Sequence, residues 1–315
     1  MKYALKKIVT MIITIIVVTL FVFFSFNFIS GDPAISMLGT NATPERIESL
    51  REEMHLNDPL LIQYGRWAVN FLTGDMGTSY SYKMPVSDMV LDKVPVTLTM
   101  SIIAFILMIV ISIPIGIRIA KYQGGVLDRT ITIINQVIMA IPPFFSGILI
   151  TLLFGVIFKW FTPGGYVSYD KDFWGFLGYM FFPSLAIALP KATMAIKLLR
   201  GSLIKESKLD YVRTAYSKGN STNDVLYHHV LKNAILPVIT FIGMALTDFI
   251  AGSIIVEQVF GIPGLGRILL SSISNRDYPV VMAIIVIIAV LVLVVNMIVD
   301  IVYGLIDPRI SLDEN

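Results

Sequence analysis

The run VVMAIIVIIAVLVLVVNMIV at residues 280–299 carries no charge, and its length decides the fold class. A helix rises about 1.5 Å per residue and the hydrocarbon layer is roughly 30 Å thick, so about 20 apolar residues cross it. Residues 8–28, 97–117 and 131–158 are likewise uncharged and long enough. Two further runs are interrupted, 173–199 by Lys191 and Lys197, and 234–256 by Pro237 and Asp248. Together they predict an all-α polytopic membrane protein with six transmembrane helices. Pro114, Pro142, Pro143, Pro183 and Pro237 fit such spans, because neighbouring helices in a membrane satisfy the backbone groups that proline frees.

The composition agrees, with 56% hydrophobic residues, 15% charged residues and a mean hydropathy of +0.78. A net charge of +2 gives no reason to expect nucleic acid as a partner, and the lack of cysteine removes disulfides and thiol chemistry. Basic residues orient the spans. Lys2, Lys6, Lys7, Arg118, Lys121, Arg129, Arg309 and the basic residues between Lys197 and Lys232 fall on one side when the N-terminus is inside. The positive-inside rule therefore places both termini in the cytoplasm of a multi-pass protein of the cell membrane. A cleaved signal peptide is the alternative for the first segment, but the run is long and Phe28-Ile29-Ser30 lacks a small-x-small cleavage pattern.

Four regions follow: an N-terminal segment with the first span (1–29), an external helical cap (30–95), a transmembrane core (96–310) with a cytoplasmic loop at 200–233, and a tail (311–315). In the cap, Thr43-Pro44-Glu45 reads as a helix start, and Asn57-Asp58-Pro59 repeats it before a helix over 59–72. That helix is expected to bury Leu60, Leu61, Tyr64, Trp67, Ala68 and Phe71 on one face, and Gly74-Asp75-Met76-Gly77 ends it. In the cytoplasmic loop, Leu209, Val212, Ala215 and Tyr216 recur at helical spacing before Gly219. Ser221-Thr222-Asn223-Asp224 then reads as a capping box, followed by Val225, Leu226, His229 and Val230 along one side. Two short amphipathic helices hinged at Gly219 suggest a docking element. Resting on lipid headgroups is the alternative.

This loop resembles the EAA loop of ABC importer permeases, on the run Asp210-Tyr211-Val212-Arg213-Thr214-Ala215-Tyr216-Ser217-Lys218-Gly219 with Leu236-Pro237 beyond it. Asp210 stands where glutamate is commoner, and Tyr216 and Asn220 replace a usual basic and a usual apolar residue. The remaining chain is similar to the dipeptide, oligopeptide and nickel branch. Gly31-Asp32-Pro33, Gln63-Tyr64, Gly74-Asp75-Met76-Gly77-Thr78-Ser79, Pro95-Val96-Thr97-Leu98, Glu257-Gln258-Val259-Phe260, Ile262-Pro263-Gly264-Leu265-Gly266 and Asp307-Pro308-Arg309 carry that likeness in order.

The resemblance implies the type I ABC importer transmembrane architecture and a non-catalytic permease for peptides, with nickel or a metal chelate as the alternative cargo. It implies a second homologous permease, two ATPase subunits holding ATP and magnesium, and an external substrate-binding protein. It makes Asp210, Arg213, Thr214, Ala215, Lys218, Gly219, Leu236 and Pro237 the ATPase-coupling residues, and Glu257, Phe260, Pro263, Gly264 and Gly266 part of an outer gate.

Residue chemistry is consistent with a transport subunit driven from outside. A P-loop needs Gly-Lys-Ser/Thr, and Gly-Lys occurs nowhere. His55, His228 and His229 are the only histidines, and neighbours on a helix point about 100° apart, so no catalytic, cofactor or metal site is expected. Asp248 and Lys191 are the ionisable residues placed inside the membrane. Counted from the predicted span ends they lie about 21 Å apart, which disfavours direct pairing; Lys191 is then expected to snorkel, and Asp248 either contacts a neighbouring helix or lines the pore. Gly243, Ala251 and Gly252 read as helix-packing residues. A secondary transporter or channel is the rival class, and only these two charges would serve its ion coupling.

Overall fold

The computed structural model describes residues 2–29, 33–38 and 43–306. Gly31-Asp32, Asp307-Pro308-Arg309 and the tail at 311–315 lie outside the described residues. Among the described residues the structure is helical, and its one strand-like pairing is a bridge between Thr78 and Pro85. In chain order the helices are α1 (Lys2–Ile29), α2 (Pro33–Leu38), α3 (Pro44–Glu53), α4 (Leu60–Leu72), α5 (Val86–Val90), α6 (Val94–Lys121), α7 (Val126–Ala140) and α8 (Pro143–Ile150). They continue with α9 (Phe173–Glu206), α10 (Asp210–Ser217), α11 (Thr222–Asp224), α12 (Leu231–Ala234), α13 (Leu236–Phe260), α14 (Leu265–Ser274) and α15 (Tyr278–Ile306).

Five segments are long and apolar enough to cross a membrane: Lys7–Phe28, Val86–Lys121, Phe173–Glu206, Leu236–Phe260 and Tyr278–Ile301. The expected straight span at 131–158 is instead two helices, Val126–Ala140 and Pro143–Ile157, bent by 109°. Two consecutive prolines explain the break. The residue before a proline is driven out of the helical region, and Ile141 (φ −89°, ψ 122°) and Pro142 (φ −62°, ψ 147°) are both extended. Pro114 and Pro183 lie inside continuous helices as expected, and Pro190 does so too. Pro237 sits in the first turn of α13, where its missing N–H costs nothing.

The chain forms two compact units. One comprises Met1–Thr97 with Pro263–Asn315, the other Leu98–Ile262. In the first, α1 packs along α15, and Lys7 pairs with Asp300 at 2.9 Å. Helix α4 lies on α1 through Phe23, Tyr64 and Trp67, and the Tyr64 and Thr19 hydroxyls share a 3.0 Å hydrogen bond. Leu60 and Leu61 are exposed, contrary to the expected face. The helix starts one residue later than predicted, with Pro59 as its N-cap, and Asp58 pairs with Arg66 instead of capping it. Buried Asp277, just before α15, accepts hydrogen bonds from Ser79 Oγ (2.5 Å), Tyr80 N (3.0 Å) and Ser81 N (3.2 Å). That carboxylate fastens the irregular segment after α4 to the start of a span.

The second unit is built around α9, which packs on α7, α8 and α13. Its buried Ala186, Ala188, Ala192 and Ala195 let neighbouring helices approach closely, the usual device where lipid gives no hydrophobic drive between helices. Glycine does the same work opposite it. Gly252 of α13 lies against Ile187, and a Cβ at Gly116 of α6 would come 2.9 Å from Leu199 Cδ2 and 3.1 Å from its Cβ. Gly116→Val is expected to overpack this contact by about 1–3 kcal/mol and to lower the thermal midpoint of the protein in detergent. Gly178→Ala, on α9 with nothing within 4 Å of the added carbon, should not lower that midpoint and should raise it slightly, because alanine favours the helix by about 0.5–1 kcal/mol over glycine.

Candidate functional site

The predicted loop at 200–233 begins later than its first charged residue suggested, because α9 runs on to Glu206. Leu199 and Leu203 remain buried past the apolar stretch, so packing carries the helix onward. The Ser207 hydroxyl donates to the Leu203 carbonyl at 2.7 Å where the helix ends. Helix α10 opens at Asp210, an acid in the first turn that suits the positive end of the helix dipole. Val212 and Ala215 face inward and are buried, whereas Asp210, Arg213, Thr214, Lys218 and Gly219 stay exposed. Leu209 and Tyr216 were expected in the inward stripe, yet both are exposed. Helix α10 has only eight residues, and two positions suffice to seat it.

Gly219 turns the chain with φ 85°, a left-handed conformation that costs glycine little and other residues more. The Asn220 side chain donates to the Ala215 carbonyl at 3.0 Å and covers the exposed end of α10. Ser221 accepts from the Asp224 amide at 3.2 Å, which is the N-cap half of the predicted capping box, while the Asp224 carboxylate binds the Ser221 hydroxyl at 2.5 Å instead of the Ser221 amide. That hydroxyl, chiefly, holds the Asp224 carboxyl below the usual range. Helix α11 then widens into a π-helical turn, Val225–Val230. In such a turn residues five apart stack, so Val225 and Val230 are buried while His229 faces outward. An α-helical reading had placed His229 on the inner side.

Polar contacts tie the two short helices to each other and to the spans. Tyr211 donates to Glu206 at 2.8 Å and accepts from Asn233 at 3.2 Å. Its burial raises the phenol pKa above the usual value. Lys121, at the end of α6, donates to Asn223 at 2.8 Å. Asp128, in the first turn of α7, accepts from the Gly124 amide and receives Arg200 of α9 through two nitrogens at 2.6 and 2.7 Å. Sequence reasoning missed this clamp. Its signal was a lone acid, Asp128, in an otherwise basic span-flanking stretch. A cleft of about 210 Å³ remains among these elements, lined by residues that include Lys121, Leu203, Tyr216 and Leu226. Leu236 and Pro237, at the start of α13, are exposed.

Within the spans, Lys191 and Asp248 form an ion pair, which corrects the expectation that they lie apart. That expectation took Leu199 as the end of the span. With α9 ending at Glu206, Lys191 lies near its middle, and Asp248 is central in α13. A lone charge at mid-membrane costs at least about 2.5–3.5 kcal/mol on insertion scales, and pairing offsets part of it. The pair is not sealed in, since the side chains remain 32% and 54% exposed. Ala251 lies on the same exposed face, whereas Gly243 is buried.

The expected outer-gate run divides between the two units. In the second unit, Glu257 and Phe260 are buried at the end of α13, and Gly261 (φ 68°) closes the helix. Tyr179 donates to the Phe260 carbonyl at 2.8 Å, and Phe161 stacks on Phe182 with ring centres 4.5 Å apart. In the first unit, Pro263 and Gly264 precede α14, and the Leu265 amide donates to Thr97 Oγ1 at 3.0 Å. Gly266 lies in the first turn of α14.

The family described as the binding-protein-dependent transport system inner membrane component matches residues 112–312, and its N-terminal component matches residues 1–101. A probable peptide ABC transporter permease protein of Sinorhizobium fredii is 32% identical over 98% of this chain and 98% of its own. The oligopeptide transport system permease protein AppB of Bacillus subtilis is 36% identical over 98% and 99%. The dipeptide transport system permease protein DppB of Alkalihalophilus pseudofirmus is 30% identical over 99% of each.

The Asp128–Arg200 clamp yields a stability prediction. Removing one partner of a buried pair strands the other charge. Arg200 keeps 29% exposure, so Asp128→Ala is expected to cost about 2 kcal/mol, below the usual range for fully buried pairs. Thermal unfolding in detergent measures the loss, and faster proteolysis between Lys121 and Gly125 should accompany it.

Proposed function

This chain belongs to the inner-membrane permease family of binding-protein-dependent transport systems, and on that premise we propose that it carries peptides across the cell membrane as one half of an ABC importer pore. The names of its full-length relatives favour peptides over nickel or a metal chelate as cargo. In this reading a second permease completes the pathway, an external binding protein delivers the solute, and two ATPase subunits supply the energy. The chain itself contributes no hydrolytic chemistry.

The observation that carries the coupling role is the surface of the loop around Gly219. Val212, Ala215, Val225 and Val230 are buried and seat the loop on its own spans. Asp210, Arg213, Thr214 and Lys218 point away, with Leu209, Tyr216 and Tyr227 exposed among them. An apolar and charged surface on a rigidly held element suits a protein groove better than headgroups alone. Movement of a docked ATPase pair would pass through α10 to the end of α9 by way of Tyr211 and Glu206. Asp248 lines the pathway in this reading, and the segment from Glu257 to Gly266 belongs to its outer end. A secondary transporter would need membrane charges free to exchange ions, and here the two candidates hold each other.

Gly219 tests the coupling. A Cβ there meets nothing within 4 Å, so substitution acts through the backbone alone, at about 1–3 kcal/mol for a branched residue held at positive φ. In the reconstituted complex, Gly219→Val should abolish stimulation of ATP hydrolysis by loaded binding protein, and Gly219→Asn, which tolerates this conformation, should retain it. Equal stimulation in both variants would remove the coupling assignment.

A further inference from the structure

Helix α13 exposes one stripe along its length: Thr240, Met244, Asp248, Ala251, Ile255 and Gln258. Its composition differs from that of a face meeting acyl chains. On α6 the corresponding exposed positions are Ile102, Ile106 and Val110. Beside the α13 stripe, α9 exposes Met194, Lys197, Gly201 and Lys205, and the Lys191–Asp248 pair bridges the two helices. A bilayer does not favour half-exposed charges at mid-span. This face therefore meets water or another subunit's polar surface.

We infer that the Lys191–Asp248 pair is an ionic latch on the wall of the pathway, and that it selects solutes carrying both a free ammonium and a free carboxylate. This rests on the peptide-importer reading above and adds to it the feature of the peptide that is recognised. The reasoning is one of charge conservation. A solute with a single charge can relieve only one partner and strands the other, and a neutral solute gives nothing in exchange. A peptide with both termini free replaces one pair by two, with its ammonium on Asp248 and its carboxylate on Lys191. The flanking positions suit that selectivity, because Met244 is flexible and Ala251 is small, so side chains of varied shape can pass. The latch also has somewhere to move. Pro190, immediately before Lys191, removes a backbone hydrogen bond from α9 and weakens the helix at this point.

The test uses the complete complex in proteoliposomes, with binding protein saturated by trialanine, N-acetyl-trialanine or trialanine amide. ATP-dependent uptake of trialanine by the unaltered complex tests the importer reading by itself. The latch is tested by the ratio of free to blocked peptide uptake, since the same binding protein serves every variant. The Lys191→Met/Asp248→Asn double variant should reduce that ratio about tenfold, and the exchanged pair, Lys191→Asp/Asp248→Lys, should keep it within about threefold of the original. A ratio unchanged in the neutral variant overturns the inference while leaving the importer reading intact.

Discussion

Helix α9 is longer than the layer it crosses, and most of the second unit depends on that excess. Its 34 residues extend about 51 Å, against a hydrocarbon thickness of roughly 30 Å. The surplus carries Arg200 to Asp128 and presents Leu203 to the short helices beyond Gly219. It also brings Lys191 level with Asp248. A helix ending where its charges begin would have left both acids without partners and the loop without a seat. Alanines on its buried face keep the neighbours close enough for these contacts to form.

The spans and the helix-turn-helix loop were legible because their signals are local. Charge-free length identifies a span, a glycine marks the turn, and Ser221 to Asp224 announces a cap. What escaped reading was decided between elements. The end of α9 depends on the burial of Leu199 and Leu203, which no hydropathy window registers, and the mistaken end hid the Lys191–Asp248 pair. The π-helical turn that exposes His229 has no sequence signature of its own. The break at Ile141 was readable in principle, since two adjacent prolines restrict two successive residues.

The charged contacts divide by environment. Asp128 with Arg200 and Asp277 with Ser79, Tyr80 and Ser81 are buried, multiply hydrogen-bonded joints between distant parts of the sequence, and each fixes where a loop meets a span. Exposed pairs such as Arg213 with Asp210, 3.6 Å apart and almost fully solvated, contribute little to stability. Their groups remain available to a partner. Lys191 and Asp248 fit neither class, being central in the membrane and yet accessible.

The contacts of Lys121 with Asn223 and of Asp128 with Arg200 carry a topological consequence. They join the segment that follows α6 to the segment that follows α9, so both segments lie on one side of the bilayer. Between them the chain must cross an even number of times. Helix α9 supplies one crossing, so the bent pair supplies the other, although each half extends only about 22 Å. Two adjacent prolines thus create a kinked crossing whose halves reach across only together, and the side on which α9 begins follows from them.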